Sequence, residues 1–431
     1  MIMLEQFFKL KELGTDVRTE VLAGISTFLT MAYIIAVNPG ILSATGMPFD
    51  AVFVATCIAA ALGTGIMGLL ANYPVALAPG MGLNAFFTFG VVMGMGVSWE
   101  VALGCVFWSG ILFVLLSAFK VREWIINAIP GSMKTGIAVG IGLFLAIIGL
   151  QGAGVVVNND ATLVGPGDLS SPQVILAFLG FALITALHHR GVTGSVIIGI
   201  LATTVAGFFF GLVEYNGLVS MPTGLGATFF QLDILGALEL SLIAVILAFL
   251  FVDVFDTSGT LVAVAKEGKL LDKDGKLPRL GKALMADSTA SVAGSLLGTS
   301  TTTSYIESGA GIAAGGRSGL TALTVSVLFL LALFFSPLAQ MIPSYATASA
   351  LLFVAVLMIS SISSVDWKDL TEAAPVVVTA VMMPLTYSIA EGIAAGFITY
   401  AVVKVFAGKA KDVNISVYII AGAALLKYVF L

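Results

Sequence analysis

Long apolar runs separated by short polar connections recur along the whole chain. A helix needs about 20 such residues to cross a bilayer at about 1.5 Å rise each. Candidate spans fall near 21–37, 51–70, 74–95, 99–119, 134–150, 172–187 and 194–212. Seven more fall near 236–263, 282–297, 299–315, 318–335, 346–362, 373–388 and 390–407. The pattern therefore predicts an all-α polytopic membrane protein with fourteen spans. A β-barrel would need short alternating strands, and the chain has none. Residues 413–430 are apolar enough to cross again, but that would carry Lys427 to the opposite side, so 413–431 is expected to be an apolar C-terminal tail, interfacial or half-inserted.

Two of the spans are interrupted. In "ALAPGMGLNAFF" Pro79 removes a backbone donor, Gly80 and Gly82 loosen the chain, and Asn84 begins an apolar run as an N-cap would. In "GTSTTTSYIESGAGIAAGG", Thr301, Thr302 and Thr303 favour extended backbone, and a helix resumes near Glu307. Each is expected to be an extended piece followed by a half-helix. Two half-helix N-termini facing one another at mid-membrane would supply free N–H groups to a polar pocket. Close packing by small residues also accounts for the glycines, but it leaves Pro79 and Glu307 without a role.

Composition turns the span pattern into a class. Hydrophobic residues make up 59% and charged residues 10% of the chain, against about 45–50% and about 25% in soluble domains. The net charge of −5 describes loops and says little of partners; the positions of the charges say more. Lys9, Lys11, Arg18, Lys120, Arg122, Lys134, Arg190, six residues from Lys266 to Lys282, Arg317, Lys368, Lys404, Lys409 and Lys411 all fall on one side of the fourteen-span arrangement. The connections 151–171 and 213–235 hold no Lys or Arg. The positive-inside rule then puts the N-terminus in the cytoplasm, with residues 1–20 an amphipathic lead-in rather than a cleaved signal. Spans 1–7 and 8–14 have opposite orientation, which is an inverted repeat with its site where corresponding spans break. Cys57 and Cys105 lie inside apolar runs as packing residues, and His188 and His189 sit at a wetted span end. Glu372 and Glu391 lie at membrane boundaries, where charge is cheap, and carry no assigned function. No phosphate-binding loop, zinc pattern or nucleophile triad appears, so neither a cofactor nor a nucleic-acid partner is expected.

The intramembrane acids carry the functional signal. Asp253 and Asp256, three apart in "FVDVFDTSGTLVAVA", share a helix face with Thr257 and Thr260. A carboxylate at the bilayer centre costs about 2.5–3.5 kcal/mol on insertion scales, so a pair needs a partner or a task. One reading is an internal hydrogen-bond network without a ligand. No Lys or Arg lies at mid-span to neutralise the pair, which leaves protonation or a ligand donor. Asp287, close to the start of its span, reads as a solvated end group. Asp253, Asp256, Glu307 and Asn84 are expected to converge on one site suited to taking up and releasing a proton. The fitting ligand is flat, neutral or cationic and rich in N–H donors, as a nucleobase is. Its rivals are an anion transporter of the same fold, which wants a less acidic pocket, a channel, which wants a continuous polar stripe, and a membrane enzyme, which wants a reactive group.

"VRTEVLAGISTFLTMAYIIAVNP", "ALAPGMGLNAFFTF", "FVDVFDTSGTLVAVA" and "ADSTASVAGSLLGTSTTTSYIESGAGIAAGGRSGLTAL" resemble the AzgA-like purine permeases, transporters of hypoxanthine, guanine or adenine, over nearly the whole chain. The resemblance implies the seven-plus-seven inverted repeat of uracil permeases. Its core domain would be 21–119 with 236–335, and its gate domain 120–235 with 336–412. It also implies purine:proton symport driven by the proton gradient, an elevator-like displacement of core against gate, and a homodimer. Matched position by position, the family's functional residues fall on Asn84, Asp253, Asp256 and Glu307. By analogy with uracil permeases, Tyr305, Ile306 and Phe86 touch or stack on the base. Spacing and resemblance together assign Glu307 and Asp256 to purine N–H groups and Asn84 to a ring or exocyclic polar atom. Asp253 is assigned to the proton or to holding the site together.

Overall fold

A computed structural model describes residues 2–118, 130–268, 270 and 277–430. Lys120, Arg122, Lys269, Lys273 and Lys276, counted above among the basic residues of one side, lie outside the described residues. In chain order the helices are α1 (Ile2–Phe7), α2 (Val17–Met31), α3 (Ile34–Leu42) and α4 (Phe49–Ile66). After strand β1 (Leu77–Pro79) come α5 (Met81–Ala85, continued by π-helical turns to Met93), α6 (Trp99–Ala118) and α7 (Gly131–Gly152). The hairpin β2 (Val156–Asn159) and β3 (Leu163–Pro166) precedes α8 (Pro172–His189), α9 (Ser195–Phe209), α10 (Ile243–Glu267) and α11 (Leu280–Leu297). Strand β4 (Thr302–Ser304) leads to α12 (Ser308–Ala313), α13 (Gly319–Ala332), α14 (Ser336–Gln340), α15 (Ser344–Ile359), α16 (Leu370–Thr386), α17 (Ile389–Phe406) and α18 (Ile415–Phe430).

Among the described residues, nine helical stretches are long and apolar enough to cross a membrane, and four shorter apolar ones accompany them. The chain is a multi-pass membrane protein. The long helices are fewer than the fourteen spans expected from sequence: the stretches 74–95 and 299–315 each fold as a strand and a short helix, and four apolar helices are shorter than a full span. The apolar tail folds as α18 and packs on α17.

The helices pack in two groups. In one, α2, α4 and α13 lie together, and α11 sits between α4 and α6. In the other, α7 is surrounded by α15, α16 and α17, and α8 and α9 pack on α15. Small residues permit the close approaches: a Cβ on Gly319 would overlap the Gly68 carbonyl, and one on Gly136 would meet the α16 backbone at Val376.

A buried carboxylate secures one end of the first group and a half-buried one the second. Glu20, fully buried, accepts from the backbone N–H groups of Arg317 (2.8 Å), Ser318 (3.2 Å) and Thr321 (3.2 Å) and from the Thr321 hydroxyl (2.6 Å). An acid from α2 thus caps α13, satisfying N–H groups that a helix start leaves open. In the other group Glu372 pairs with Lys404 at 2.5 Å and accepts from Ser132 (2.5 Å) and Tyr400 (3.1 Å). Glu372 is therefore not the solvated boundary charge expected from sequence; it joins α7, α16 and α17.

Candidate substrate-binding site

The site is built where the two interrupted spans meet. β1 and β4 cross as an antiparallel pair in the register Leu77↔Ser304, Ala78↔Thr303, Pro79↔Thr302. The pairing extends by Gly80 N–H to Thr301 O (3.0 Å) and Tyr305 N–H to Ala76 O (2.9 Å). Extended backbone at membrane depth must find partners within the protein. Side chains satisfy the outer edges: Thr64 exchanges hydrogen bonds with Leu77, Ala76 N–H donates to Ser308, and Ser291 donates to Thr302 O at 2.8 Å. The Ser/Thr-rich composition of 299–304 thus lines a sealed crossing rather than a wet channel; every one of these residues is buried.

Helix α5 begins directly after the crossing. Its N-cap is Gly80, in extended conformation (φ −75°, ψ 126°), and Asn84 sits one turn inside. The expectation that Asn84 caps this helix is corrected. An N-cap residue has non-helical backbone, and the break is already made at Pro79–Gly80, where a Cβ would lie 2.7 Å from Thr303. Asn84 is fully buried; its amide oxygen accepts from Ser300, and its NH2 lies 3.5 Å from Pro79 O. The Tyr305 hydroxyl donates to the same Pro79 carbonyl at 2.5 Å. Asn84 and Tyr305 thus join the two broken spans.

Glu307 stands at the N-cap of α12, its backbone already helical (φ −58°). The Tyr33 hydroxyl of α2's successor turn donates to Glu307 Oε1 at 2.5 Å, and Thr30 donates to the Glu307 carbonyl at 3.3 Å. Tyr33 is fully buried, so one carboxylate oxygen is held from behind. Asp256 is exposed, Glu307 is partly exposed, and the two carboxylates interact electrostatically. Ile306, 51% exposed, lies beside them. Phe86 is buried and packs at a tilt on Phe249, with ring centroids 4.9 Å apart, so it forms the floor beneath α5 rather than open surface.

The Asp253–Asp256 pair divides. A three-residue step turns a helix side chain by about 60°, and here that step separates an open position from an enclosed one. Asp253 is fully buried and meets Ser291 of α11 at 3.0 Å. Asp287, expected to be a solvated end group, is also fully buried; the Ser304 hydroxyl donates to it at 2.8 Å. The physical reason is β4, which runs back along α11 and covers Asp287. Tyr33, Asp287 and Ser291 carried no sequence signal for this placement, although Tyr33 lies within the motif "MAYIIAVNP".

Residues 18–395 match the Xan_ur_permease model, described as a permease family. The chain belongs to this permease family. The putative permease MJ0326 of Methanocaldococcus jannaschii is 54% identical, over 100% of this chain and 99% of that protein. The adenine permease AdeP of Escherichia coli is 51% identical over 100% of this chain and 96% of its own length. The guanine/hypoxanthine permease PbuG of Bacillus subtilis is 47% identical over 99% of this chain and 100% of its own. Among solved structures, the transmembrane domain of the cyanobacterial bicarbonate transporter BicA superposes with a TM-score of 0.66 at 17% identity, covering 89% of this chain and 97% of that one. At that identity the likeness is one of fold.

Proposed function

We propose that this permease carries purine nucleobases across the membrane in symport with protons. The observation that carries the reading is that Asp256 and Glu307, neither of them enclosed, interact beside the place where two half-helices meet, in a chain half-identical to permeases named for adenine and for guanine and hypoxanthine. Two neighbouring acceptor groups suit a planar ring with N–H donors, and charge-assisted hydrogen bonds of about 1.5–3 kcal/mol each give useful affinity. Asp256 and Glu307 take the purine N–H groups. Asn84 and Tyr305 hold the two broken spans in register around the base, and Ile306 offers an apolar face to its ring. Phe86 supports α5 from below.

The fourteen-span, seven-plus-seven reading is supported by the strand–half-helix units at corresponding places in the two halves. The division into core and gate is supported by the two packing groups, and the elevator reading assigns the motion to the surface between them. The shared side of Lys9, Lys11, Arg18, Arg190, Arg317, Lys404 and Lys409 in the fourteen-span reading supports a cytoplasmic N-terminus. A homodimer rests on the family resemblance. The anion-transporter alternative shares the fold of BicA, but an opening walled by two acids disfavours an anionic ligand. Uptake of labelled hypoxanthine, competed by unlabelled adenine and guanine with and without a proton gradient, tests substrate and coupling together. Equal uptake in both conditions removes the symport, and uptake unaffected by any purine removes the substrate class.

A further inference from the structure

Behind the open acids lies a second carboxyl pair with an unusual hydrogen count. Asp253 and Asp287 are both fully buried, on facing helices α10 and α11. Each keeps one oxygen, Asp253 Oδ1 and Asp287 Oδ2, without a hydrogen-bond partner. Buried carboxylate oxygens left in that state are costly unless a proton neutralises them.

Ser291 shows where such a proton sits. Its hydroxyl contacts two acceptors, Thr302 O at 2.8 Å and Asp253 Oδ2 at 3.0 Å, but it owns one hydrogen. The carbonyl can only accept, and it takes the shorter contact. The contact to Asp253 is then a hydrogen bond only when Asp253 is the donor, as a carboxylic acid. A link to Asp287 runs through two hydroxyls. Thr303 and Thr257 lie 2.8 Å apart and either can donate to the other; Thr303 precedes Ser304, which bonds Asp287, and Thr257 lies one turn along α10 from Asp253. One of their two hydrogens is spent between them, which leaves the other for whichever carboxyl is charged. The direction of the chain reverses when the proton changes ends.

Resting on the symport reading above, we propose that Asp253 and Asp287 form a two-carboxyl site for one exchangeable proton, joined through Thr303 and Thr257 and set apart from the ligand-facing Asp256 and Glu307. In one state Asp253 is protonated and donates to Ser291; in the other Asp287 holds the proton, and the hydroxyl chain donates toward Asp253. Transfer begins when the Asp253 hydroxyl turns from Ser291 to Thr303; each step then breaks one O–H bond and makes one at every hydroxyl passed, so the count of protons is conserved. The charged group acting on both acids is Asp256, one turn along α10, with Glu307 beyond it. The neighbouring α4 and α6 bring Cys57 and Cys105 at membrane depth, and Asp50 and Glu100 in their first turns. α11 brings Lys282 near its start, and α17 brings Glu391 in its first turn and Lys404 in its last.

The test is the number of protons entering per nucleobase, read with an internal pH dye and labelled hypoxanthine in proteoliposomes holding the full chain. Asp253→Asn is expected to lose proton movement, because the introduced amide donates permanently to Ser291 as the acid did. Asp287→Asn, which removes the other end, is expected to lower the ratio as well. A merely structural role slows nucleobase movement and leaves the ratio alone, and that result in both variants overturns the proposal. Where either variant fails to assemble, Ser291→Ala serves: it is expected to shift the pH dependence of uptake, and an unshifted profile overturns the proposal. An unchanged ratio in both variants of a protein that does move protons overturns this inference alone; a wild-type protein that moves nucleobase without protons overturns the symport reading with it, and one that moves no nucleobase overturns the transport reading itself.

Discussion

Glu307→Gln tests how the candidate site grips its ligand, and Tyr33 sets the size of the effect. In the native chain Glu307 Oε1 accepts from Tyr33 at 2.5 Å, so Oε2 is the oxygen offered to the opening. A glutamine has one acceptor and one donor end. Tyr33 is fully buried, and turning the amide nitrogen toward it would leave the phenol hydrogen without an acceptor. The amide oxygen therefore stays on Tyr33, and its NH2 points at the place where a purine N–H arrives. The variant loses a charge-assisted hydrogen bond and gains a donor–donor conflict, together about 2–4 kcal/mol, or about 30- to 700-fold in Kd. Adding Tyr33→Phe removes the constraint on the amide, so the double variant is expected to bind more tightly than Glu307→Gln alone. Kd values come from equilibrium binding of labelled hypoxanthine to purified protein, with thermal stability as the folding control. The reasoning fails if Glu307→Gln binds as wild type, or if the double variant is no better than the single.

Other expectations follow from the same packing. Glu20→Ala leaves the α13 N–H groups without their acceptor and is expected to cost about 1–3 kcal/mol, read as a lower melting temperature in detergent. Gly319→Ala forces a methyl into the Gly68 backbone and is expected to lower yield and melting temperature, with overpacking of about 1–3 kcal/mol or more. Gly40→Ala, with open space around it in α3, is the matched control and is expected to be neutral or slightly stabilising. At the start of α16, Lys409 and Thr371 hold the Asp369 carboxyl well below the usual carboxylate range. A depressed carboxyl contributes stability above its unfolded value and loses it only as pH falls through the folded one. The stability difference between wild type and Lys409→Ala is accordingly expected to be level from about pH 5 to pH 8 and to close in stronger acid; a difference that changes within the neutral range contradicts this.

The legible part of the fold was written in backbone chemistry. Pro79 and the Thr301–Thr303 run say where helices must break, and the strands β1 and β4 lie there. The illegible part depends on which neighbour covers a side chain. Periodicity puts Asp253 and Asp256 on one side of α10 but does not disclose that Ser291 closes over the first and not the second. Distance from a helix start made Asp287 look wet, yet its depth is set by β4, which is adjacent in space through the return of the chain. Asn84 carried a sound capping signal, and Gly80 took the cap because the proline break precedes it by one turn. Glu20 and Tyr33 act on partners 301 and 274 residues away, and no local pattern marks such a pairing.

The central claim is that Asp256 and Glu307, acids from two spans of the second half, grip one flat heterocycle at the meeting of two half-helices. An experimental structure of the protein with hypoxanthine bound tests it most directly. The expected result is density for the base within hydrogen-bonding distance of both Asp256 and Glu307; density away from both, or touching neither carboxylate, contradicts the account.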